Sequence, residues 1–559
     1  MSLLSSLNTG TRGLFASQMA MDIAGQNISN ADVEGYSRKR LNLSTESRYD
    51  SALGQVGMGV SIVNIERMRN TFIDDQIRRQ NVEVGYFEEM NHTFRRIENI
   101  FTEPGDTGVL HFMDQFFDSW QNLANNPADL SARTMVKTNA EILTNVFHNV
   151  AGELRDLRQT RNDEITQKVN RINQITEQIY NLNLEIGAVE VGGQNANDSR
   201  DQRDRLLKEL SKITDISMTE NKMGQITVSA SGSILVSPVN HQKLEMTTSS
   251  QKTSDGKSVT DIAIRFAESK RPFNPGGGHL KGLFDSRDIS VPQYQDYIDQ
   301  LALSLVEHVN SLHTAGYTME GYSGVFFFDP ETTGASDIEI SASIASDVHN
   351  IAAASAGEIQ SAVTNTVAPT AHQYGDPPAQ LFRVPDATPP VEARNIVRDS
   401  VVVRTADNLL REGVDYHINY QNGTFQLLHN GYDDQEFTID FNYRTGGFMG
   451  PGDNSTALNI AQLRTDLVMN PDTVGNHTST FSEFYSSFIG KLGLSKNQSQ
   501  NNLETREFLV EQYQSHQDSI SAVSLDEEMA NLIRYQHTYQ ASARLISTTD
   551  RMLDVLMNM

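Results

Sequence analysis

The two ends of the chain carry apolar residues at helical spacing. Near the N-terminus such residues recur every seven positions, and near the C-terminus they follow alternating steps of four and three. This periodicity predicts an amphipathic helix at each end. Because chain ends normally fray unless they are packed, the apolar face of each helix needs a partner. The positions concerned are Leu7, Leu14, Met21 and Ile28 at one end, and Leu525, Met529, Leu532, Tyr539, Ile546 and Leu553 at the other.

The middle of the chain predicts further long helices. Ile165, Ile172, Ile179 and Ile186 mark another apolar stripe with a sevenfold repeat. Long helices from distant parts of one chain are typical of a helical bundle. We therefore predict a bundle whose helices span 131–160, 161–187, 197–213, 291–314 and 480–519.

Two windows show the period-two alternation of β-strands instead. The first, 214–268, contains alternating segments such as 225–229 and 260–266. The second follows 369–390, a segment that holds six of the 15 prolines, and its Asn422–Gly423 pair is typical of a tight hairpin. The strand-like runs of the second window span 400–405, 414–420, 424–429 and 436–443.

These patterns predict a mainly α chain with inserted β domains. Its parts are a pair of terminal helices, a bundle of long helices and two small β domains. The predicted division is 1–35 plus 520–559 for the terminal helices, 36–213 plus 270–356 plus 451–519 for the bundle, 214–269 for one β domain, and 357–450 for an additional inserted β domain.

Charge and cysteine content exclude several classes of function. The chain has 45 Lys and Arg against 71 Asp and Glu, a formal net charge of −26. Such an excess repels nucleic-acid phosphates and anionic membrane surfaces, so neither is an expected partner. The absence of cysteine excludes disulfides, thiol nucleophiles and thiolate zinc sites. No run approaches the roughly 18 apolar residues of a membrane span, and residues 1–10 do not have the pattern of a secretory signal.

The motifs that could carry chemistry are better explained by structure. His308 and His313 are five residues apart, on different faces of a helix, which does not suit a metal site. The acidic stretch Asp198–Asp204 does not have the ligand spacing of a calcium loop and is interpreted as a solvated, ion-paired helix start. Trp120 lies among phenylalanines, which favours core packing over ligand stacking. We therefore predict no catalytic residue, no cofactor and no metal ligand.

Several segments resemble the bacterial flagellar axial proteins, the family of rod, hook and hook-associated subunits. They are Gly13–Gln18 and Asn27–Arg38 near the N-terminus, and Glu528–Gln536 and Tyr539–Arg544 near the C-terminus. The family usually has Asn-Thr where this chain has Asp32-Val33. The resemblance covers roughly 1–356 and 451–559 and leaves 357–450 outside. The residues that carry the N-terminal signature are Asn27, Asn30, Gly35, Tyr36 and Arg38.

Within the family, Gly-Tyr-Ser-Arg at 35–38 resembles the hook-associated branch more than the hook and rod subunits. The resemblance implies a structural, non-enzymatic subunit of an extracellular ring that joins the flagellar hook to the filament. The implied partners are other copies of the chain, the hook protein and a second junction protein (hook-associated protein 3). A cytoplasmic chaperone would hold the C-terminal helix before export through the flagellar channel, without a cleaved signal peptide.

In this family the two terminal helices pair into a coiled-coil-like inner layer, and β domains lie outside. This suggests the hypothesis that Leu7, Leu14, Met21 and Ile28 pack against Leu525, Met529, Leu532, Ile546 and Leu553. Each buried apolar side chain would contribute roughly 1.5–3 kcal/mol before the ordering cost is subtracted.

Three alternatives remain open at this point. The first is a hook or rod subunit of the same family, and the second is a hydrolase activity in an outer domain. The third is adhesion through 357–450, whose predicted strands carry or adjoin four tyrosines. These are Tyr416, Tyr420, Tyr432 and Tyr443.

Overall fold

A computed structural model describes most of the 559-residue chain. Outside the described residues lie 1–2, 34, 46–47, 52–53, 58, 102–107, 253–257, 356–358, 362–364, 368–378, 381–382, 385–390, 393–400, 406–408, 413–414, 420–423, 429–436, 445–449, 472–476 and 558–559. The Asn422–Gly423 turn predicted from the sequence falls among them.

The described residues form eleven α-helices. They are α1 (Leu3–Ser29), α2 (Thr71–Phe101), α3 (Val109–Asn125), α4 (Leu130–Glu190), α5 (Asn197–Ile213), α6 (Gly278–Asp285), α7 (Val291–Ala315), α8 (Ala342–Ser346), α9 (Ser455–Gln462), α10 (Phe481–Ser521) and α11 (Leu525–Met557). One π-helical turn, Ser286–Ser290, joins α6 to α7.

The strands of the described residues pair into small antiparallel sheets of two or three strands. Before the bundle lie β1 (Lys39–Thr45), β2 (Arg48–Ser51), β3 (Gly54–Gly57) and β4 (Val60–Arg67). The first β window holds β5 (Ser217–Glu220), β6 (Ile226–Ala230), β7 (Ser233–Val236), β8 (Leu244–Lys252) and β9 (Ser258–Phe266). The second window holds β10 (Ile359–Ser361), β11 (Asn365–Val367), β12 (Ala379–Gln380), β13 (Arg383–Val384), β14 (Val391–Glu392), β15 (Val402–Arg404), β16 (Tyr416–Asn419), β17 (Thr424–Leu427), β18 (Phe437–Asp440) and β19 (Asn442–Arg444), and β20 (Met469–Pro471) and β21 (His477–Ser479) follow it.

The architecture confirms the predicted fold class, which is mainly α with small inserted sheets. One boundary was wrong, because the helices predicted at 131–160 and 161–187 are a single helix, α4, of 61 residues. At about 1.5 Å per residue this helix is about 90 Å long. The predicted break at Thr160–Arg161 coincides with buried arginines. Arg158 donates to Asp261 at 2.7 Å and Arg161 to Glu164 at 2.6 Å, so these charges are paired inside the protein.

Helix α4 connects two separate hydrophobic cores. Its first half, from Ala132 to Leu157, packs with α3, α7, α9 and the beginning of α10. Its second half, from Ile165 to Ile179, packs with α5, α6 and strands β6–β9. Ile165, Ile172 and Ile179 of the predicted isoleucine stripe therefore face the second core, and Ile186 is buried as well.

Trp120 lies fully buried in the first core, which confirms that it is a packing residue. Its ring contacts Phe327, and it also meets His313 edge-on with centroids 6.1 Å apart. His313 is buried as a neutral imidazole, since Nδ1 lies 2.5 Å from the carbonyl oxygen of Val325 and Nε2 accepts from the backbone N–H of Ala352 at 2.8 Å. Burial lowers the pKa of His313 to about 4.

The depressed pKa of His313 predicts an acid-sensitive first core. Between about pH 6.5 and about pH 4 the unfolded chain binds a proton that the folded chain excludes. The free energy of unfolding therefore decreases by about 3 kcal/mol in total as the pH is lowered through this range. The stabilisation is complete above pH 6.5. Urea unfolding followed by Trp120 fluorescence, the signal of the one tryptophan in the chain, measures it. His313→Gln should remove this pH dependence, and an unchanged slope in that variant would contradict the assignment.

The window 357–450 contains a small core of its own. Val403, Ile418, Phe425 and Ile439 are buried within it. The chain leaves and re-enters the bundle at one place, where the Ser355 backbone N–H donates to Asp453 at 2.5 Å. Ends that meet in this way allow a segment to be inserted with little effect on the fold around it.

No helix among the described residues combines the length and apolarity that crossing a membrane would require.

Candidate assembly interface

The two terminal helices pack against each other in antiparallel orientation. Gly10 and Gly13 of α1 lie beside Ser542 and Ile546 of α11. At the other end of the pair Asn27 lies beside Glu528, where its Nδ2 donates to Oε2 at 3.0 Å. The predicted need for a partner is therefore met, within the single chain, by the other terminus.

Two glycines let the helices come close. A Cβ atom built on Gly10 would lie 2.9 Å from Ile546 Cγ1, and one built on Gly13 would lie 2.9 Å from Ser542 Oγ. Apolar periodicity does not indicate either position, because glycine adds nothing to an apolar stripe. Their spacing of three residues, on one face of a helix, is the signal that would have found them.

The most buried face of α1 is made of small residues and is not the predicted seam. Ala16, Ala20 and Ala24 are at most 5% exposed, together with the larger Ile23. The predicted positions flank this face and are each only half-buried in the single chain. They are Leu7, Leu14, Met21 and Ile28.

The predicted seam of α11 divides into two groups. Leu532, Tyr539, Ile546 and Leu553 are half-buried, whereas Leu525 and Met529 are 50% and 57% exposed. Helix α1 therefore does not cover Leu525 and Met529, contrary to the packing hypothesis for the single chain.

A buried carboxylate fixes the end of the helix pair. Glu528 is 3% exposed and receives hydrogen bonds from Asn27 and from Arg38, whose Nε lies 2.9 Å from Oε1. The Tyr36 hydroxyl donates to Asn27 Oδ1 at 2.8 Å, and the backbone N–H of Lys39 donates to the same oxygen at 3.0 Å. Two of the signature residues, Asn27 and Arg38, thus bond directly to one C-terminal side chain, and Tyr36 bonds to Asn27. We call Asn27, Tyr36, Arg38 and Glu528 the Glu528 cluster.

The burial of the Glu528 cluster changes the acidity of its phenol. Burial and the nearby carboxylates of Asp198, Asp201 and Glu528 raise the pKa of Tyr36 to about 12. Tyr36 therefore remains a hydrogen-bond donor at physiological pH, as its contact with Asn27 requires.

The other two signature residues shape the turn after α1. Asn30 Nδ2 donates at 2.9 Å to the Gln26 carbonyl oxygen, which also accepts from the Asn30 backbone N–H at 3.1 Å, so the side chain reinforces the last turn of the helix. Gly35 has φ of +78°, and a Cβ there would lie 2.5 Å from Arg205 Cδ. Glycine is the residue that meets both conditions.

The acidic start of α5 ties this turn to the bundle. Asp201 accepts from the Ser37 hydroxyl and from Arg67, each at 2.7 Å, and Asp204 accepts from Arg67 at 2.9 Å. Burial alone would raise the pKa of Asp204, but Arg67, Arg69 and Arg203 together lower it below its ordinary value. The interpretation of Asp198–Asp204 as ion-paired is confirmed. The expectation that this segment is solvated was wrong for Asp201 and Asp204, which are both largely buried.

The paired helices still expose several large apolar side chains. On α1, Phe15 is 62% exposed, and on α11, Ile533, Met552 and Val555 are each more than half exposed. Together with Leu525 and Met529 they form apolar surface that the single chain does not cover.

Within the described ranges, no three His, Asp or Glu side chains come together as a possible metal site. His308 and His313 use their rings in contacts with backbone carbonyl oxygens, those of Ser304 and Val325 respectively.

Three family profiles match separate parts of the chain. The profile described as "Flagellar hook-associated protein FlgK helical domain" matches residues 94–328. The profile "Flagella basal body rod protein" matches 7–36, and "Flagellar basal body rod FlgEFG protein C-terminal" matches 514–559. The last two matches coincide with the paired terminal helices.

Curated relatives match over nearly the whole length. The chain is 25% identical to "Flagellar hook-associated protein 1" of Bacillus subtilis (strain 168), over 99% of this chain and 97% of the relative. It is 27% identical to the protein of the same name in Escherichia coli (strain K12), over 99% of both chains. Both matches therefore extend over nearly the whole chain, whereas the helical-domain profile ends at residue 328.

A solved structure shares the fold. The flagellar hook junction protein FlgK from Burkholderia pseudomallei matches with a TM-score of 0.55 and 18% identity, over 79% of this chain and 100% of that one. The helical-domain profile, the full-length relatives and the shared fold agree with the signature around Glu528. Over nearly its whole length, the chain is similar to flagellar hook-associated protein 1.

Proposed function

We propose that this chain is a structural subunit of the bacterial flagellum that forms the junction ring between hook and filament, assembled through its N- and C-terminal helices. The observation that carries the proposal is the α1–α11 pair, which the Glu528 cluster fixes and which leaves large apolar side chains uncovered. Exposed apolar surface of this kind is typical of an assembly interface. The subunit would act by holding its neighbours and not as an enzyme.

In this proposal the division of the chain follows the predicted domains. The terminal helices of 1–35 and 520–559 form an inner layer, and the bundle forms a middle layer. The β domains 214–269 and 357–450 lie outside. The apolar face made by Leu532, Tyr539, Ile546 and Leu553 supports this arrangement, because it is only half-buried within one chain.

The proposed partners follow from the proposed position of the subunit between the hook and the filament. They are other copies of this chain, the flagellar hook protein on one side and the second junction protein, hook-associated protein 3, on the other. A cytoplasmic chaperone would cover the apolar face of α11 before export. The location is extracellular, at the hook–filament junction, reached without a cleaved signal peptide.

A hook or rod subunit is the nearest alternative. The rod-protein profiles match only the ends of the chain, whereas the relatives over its full length carry the hook-associated name. This difference favours a junction subunit.

Adhesion through 357–450 has less support, since Tyr416 is 3% exposed and its ring stacks on Phe425 at 5.4 Å. Tyr420 and Tyr432 lie outside the described residues.

Deleting the gene and imaging the cells by electron microscopy tests the proposal. The expected result is intact hooks without filaments, with filament protein shed into the medium, and restoration by the full-length chain. Loss of the hooks as well would identify a hook or rod subunit instead. Filaments that remain attached would contradict the proposal altogether.

A further inference from the structure

A groove opens between α1, β1 and α11, next to the Glu528 cluster. Its volume is about 260 Å³. Apolar side chains that include Ile23, Leu41 and Met68 line part of it, while Arg40 and Arg534 contribute cationic groups. We call this feature the basic groove. Its combination of apolar and cationic lining suits a ligand that has an apolar side chain next to an acidic one.

Most of the positive charge in the basic groove is already neutralised by the same chain. Arg38 pairs with Glu528 at 2.7 Å, Lys39 with Asp198 at 2.6 Å and Arg40 with Glu66 at 2.6 Å.

Arg534 differs from these three cations. Its guanidinium donates to the Asn531 amide oxygen at 2.8 Å and lies over the Tyr535 ring at 5.2 Å. Among the described residues no carboxylate pairs with it. Arg534 is therefore the cation of the groove that is left for a partner.

The turn after α1 presents the complementary chemistry. Asp32 is exposed and has no ion-pair partner among the described residues, and the next side chain, Val33, is 50% exposed. An acidic residue followed by an exposed apolar one matches the cationic and apolar lining of the basic groove.

The turn and the groove lie at the same end of the helix pair. Asp32 and Val33 follow directly after α1, whose last turns include Asn27 of the Glu528 cluster, and Glu528 itself lines the groove. Copies placed side by side with their helix pairs parallel would therefore bring the turn of one to the level of the groove of the next. Contact between two different patches is heterologous, which is the kind of contact that closes rings.

We propose that the basic groove of each subunit receives the Asp32–Val33 turn of a neighbouring copy of this chain, with Asp32 paired to Arg534. This inference rests on the proposed ring function, and it identifies one contact through which the ring closes. Charge complementarity across such a contact selects the correct neighbour and fixes the register between subunits.

A charge swap tests the pairing. Arg534→Glu and Asp32→Arg, introduced singly into the full-length chain, each place like charges together at the contact. Each should raise the filament protein shed into the medium by about tenfold, the change that a loss of about 1.4 kcal/mol at one contact produces. The double variant Asp32→Arg/Arg534→Glu restores an opposite-charge pair and should bring shedding back close to the wild-type level. Arg544→Glu makes the same change at an exposed position of α11 outside the groove and should have little effect.

The outcomes separate this inference from the proposed function. A double variant as defective as the single ones would overturn the pairing, and it would point to another partner for the groove. Unimpaired attachment in Arg534→Glu, or equal damage from Arg544→Glu, would also overturn it. The thermal unfolding midpoint of each purified variant, expected to equal that of the wild type because the side chains are exposed, verifies that the fold is intact. The phenotype of the gene deletion tests the proposed junction function independently of all these results.

Discussion

Replacing Gly85 with alanine is expected to destabilise the second core by about 4 kcal/mol. Gly85 lies in α2 where that helix crosses the end of α5, and a Cβ there would lie close to the backbone carbonyl oxygen of Lys212. The backbone N of His279 would be only 3.1 Å away on the other side. Because both neighbours are main-chain atoms, no rotamer change can relieve the overlap, and α5 or the start of α6 must move.

Gly152→Ala is the matched control for this substitution. Gly152 is also a helical glycine, in α4, but no atom lies within 4 Å of a Cβ built there. The control should stabilise the chain by up to about 1 kcal/mol, because alanine loses less backbone freedom than glycine on folding. Native-state hydrogen exchange of the α5 amides measures both effects. Equal protection of α5 in the two variants would contradict the close crossing.

The second large effect is expected at the Glu528 cluster. Glu528→Gln removes the charge that Asn27 and Arg38 surround while keeping the size of the side chain. Loss of the Glu528 charge should destabilise the attachment of α11 by about 2–3 kcal/mol, since a buried ion pair is broken and the charge of Arg38 remains. Hydrogen exchange of the first turns of α11 in the purified chain measures the change.

Glu527 supplies the control for Glu528. It also pairs with Arg38, at 2.9 Å, but its side chain is 63% exposed. Glu527→Gln should therefore cost less than about 1 kcal/mol. If the two substitutions have the same effect, the Glu528 cluster does not fix the helix pair.

The elements with strong apolar periodicity could be predicted from the sequence. The terminal helices, α5, α7 and α10 all lie within a few residues of their predicted bounds. Helix α2 was missed as an element, although its segment was assigned to the bundle. Its buried apolar side chains include Ile73, Ile77 and Val84, but Asp74, Arg78 and Asn81 are buried among them and interrupt the apolar pattern.

The assembly interface shows more clearly what local sequence patterns cannot predict. The apolar spacing of α1 and α11 indicated that each helix needed a partner, but the closest approach depends on Gly10 and Gly13. The sequence shows three consecutive acids at the start of α11, where any acid favours the helix dipole. Only the fold shows that Glu528, and not Glu527, meets Asn27 across 501 positions of the chain. Local patterns carry no information about such a distant pairing.

The pairing of the two termini within one chain is the central claim, and the absence of cysteine makes it directly measurable. A Cβ on Gly13 would lie 3.8 Å from Ser542 Cβ, a separation that suits a disulfide. Mild oxidation of isolated flagella that carry Gly13→Cys/Ser542→Cys should therefore give an intramolecular cross-link in the junction subunit. Gly25→Cys/Ser542→Cys, in which Gly25 has no atom within 4 Å of its built Cβ, should give none. Failure of the first pair to cross-link, or cross-links only between different subunits, would contradict the paired-terminus account.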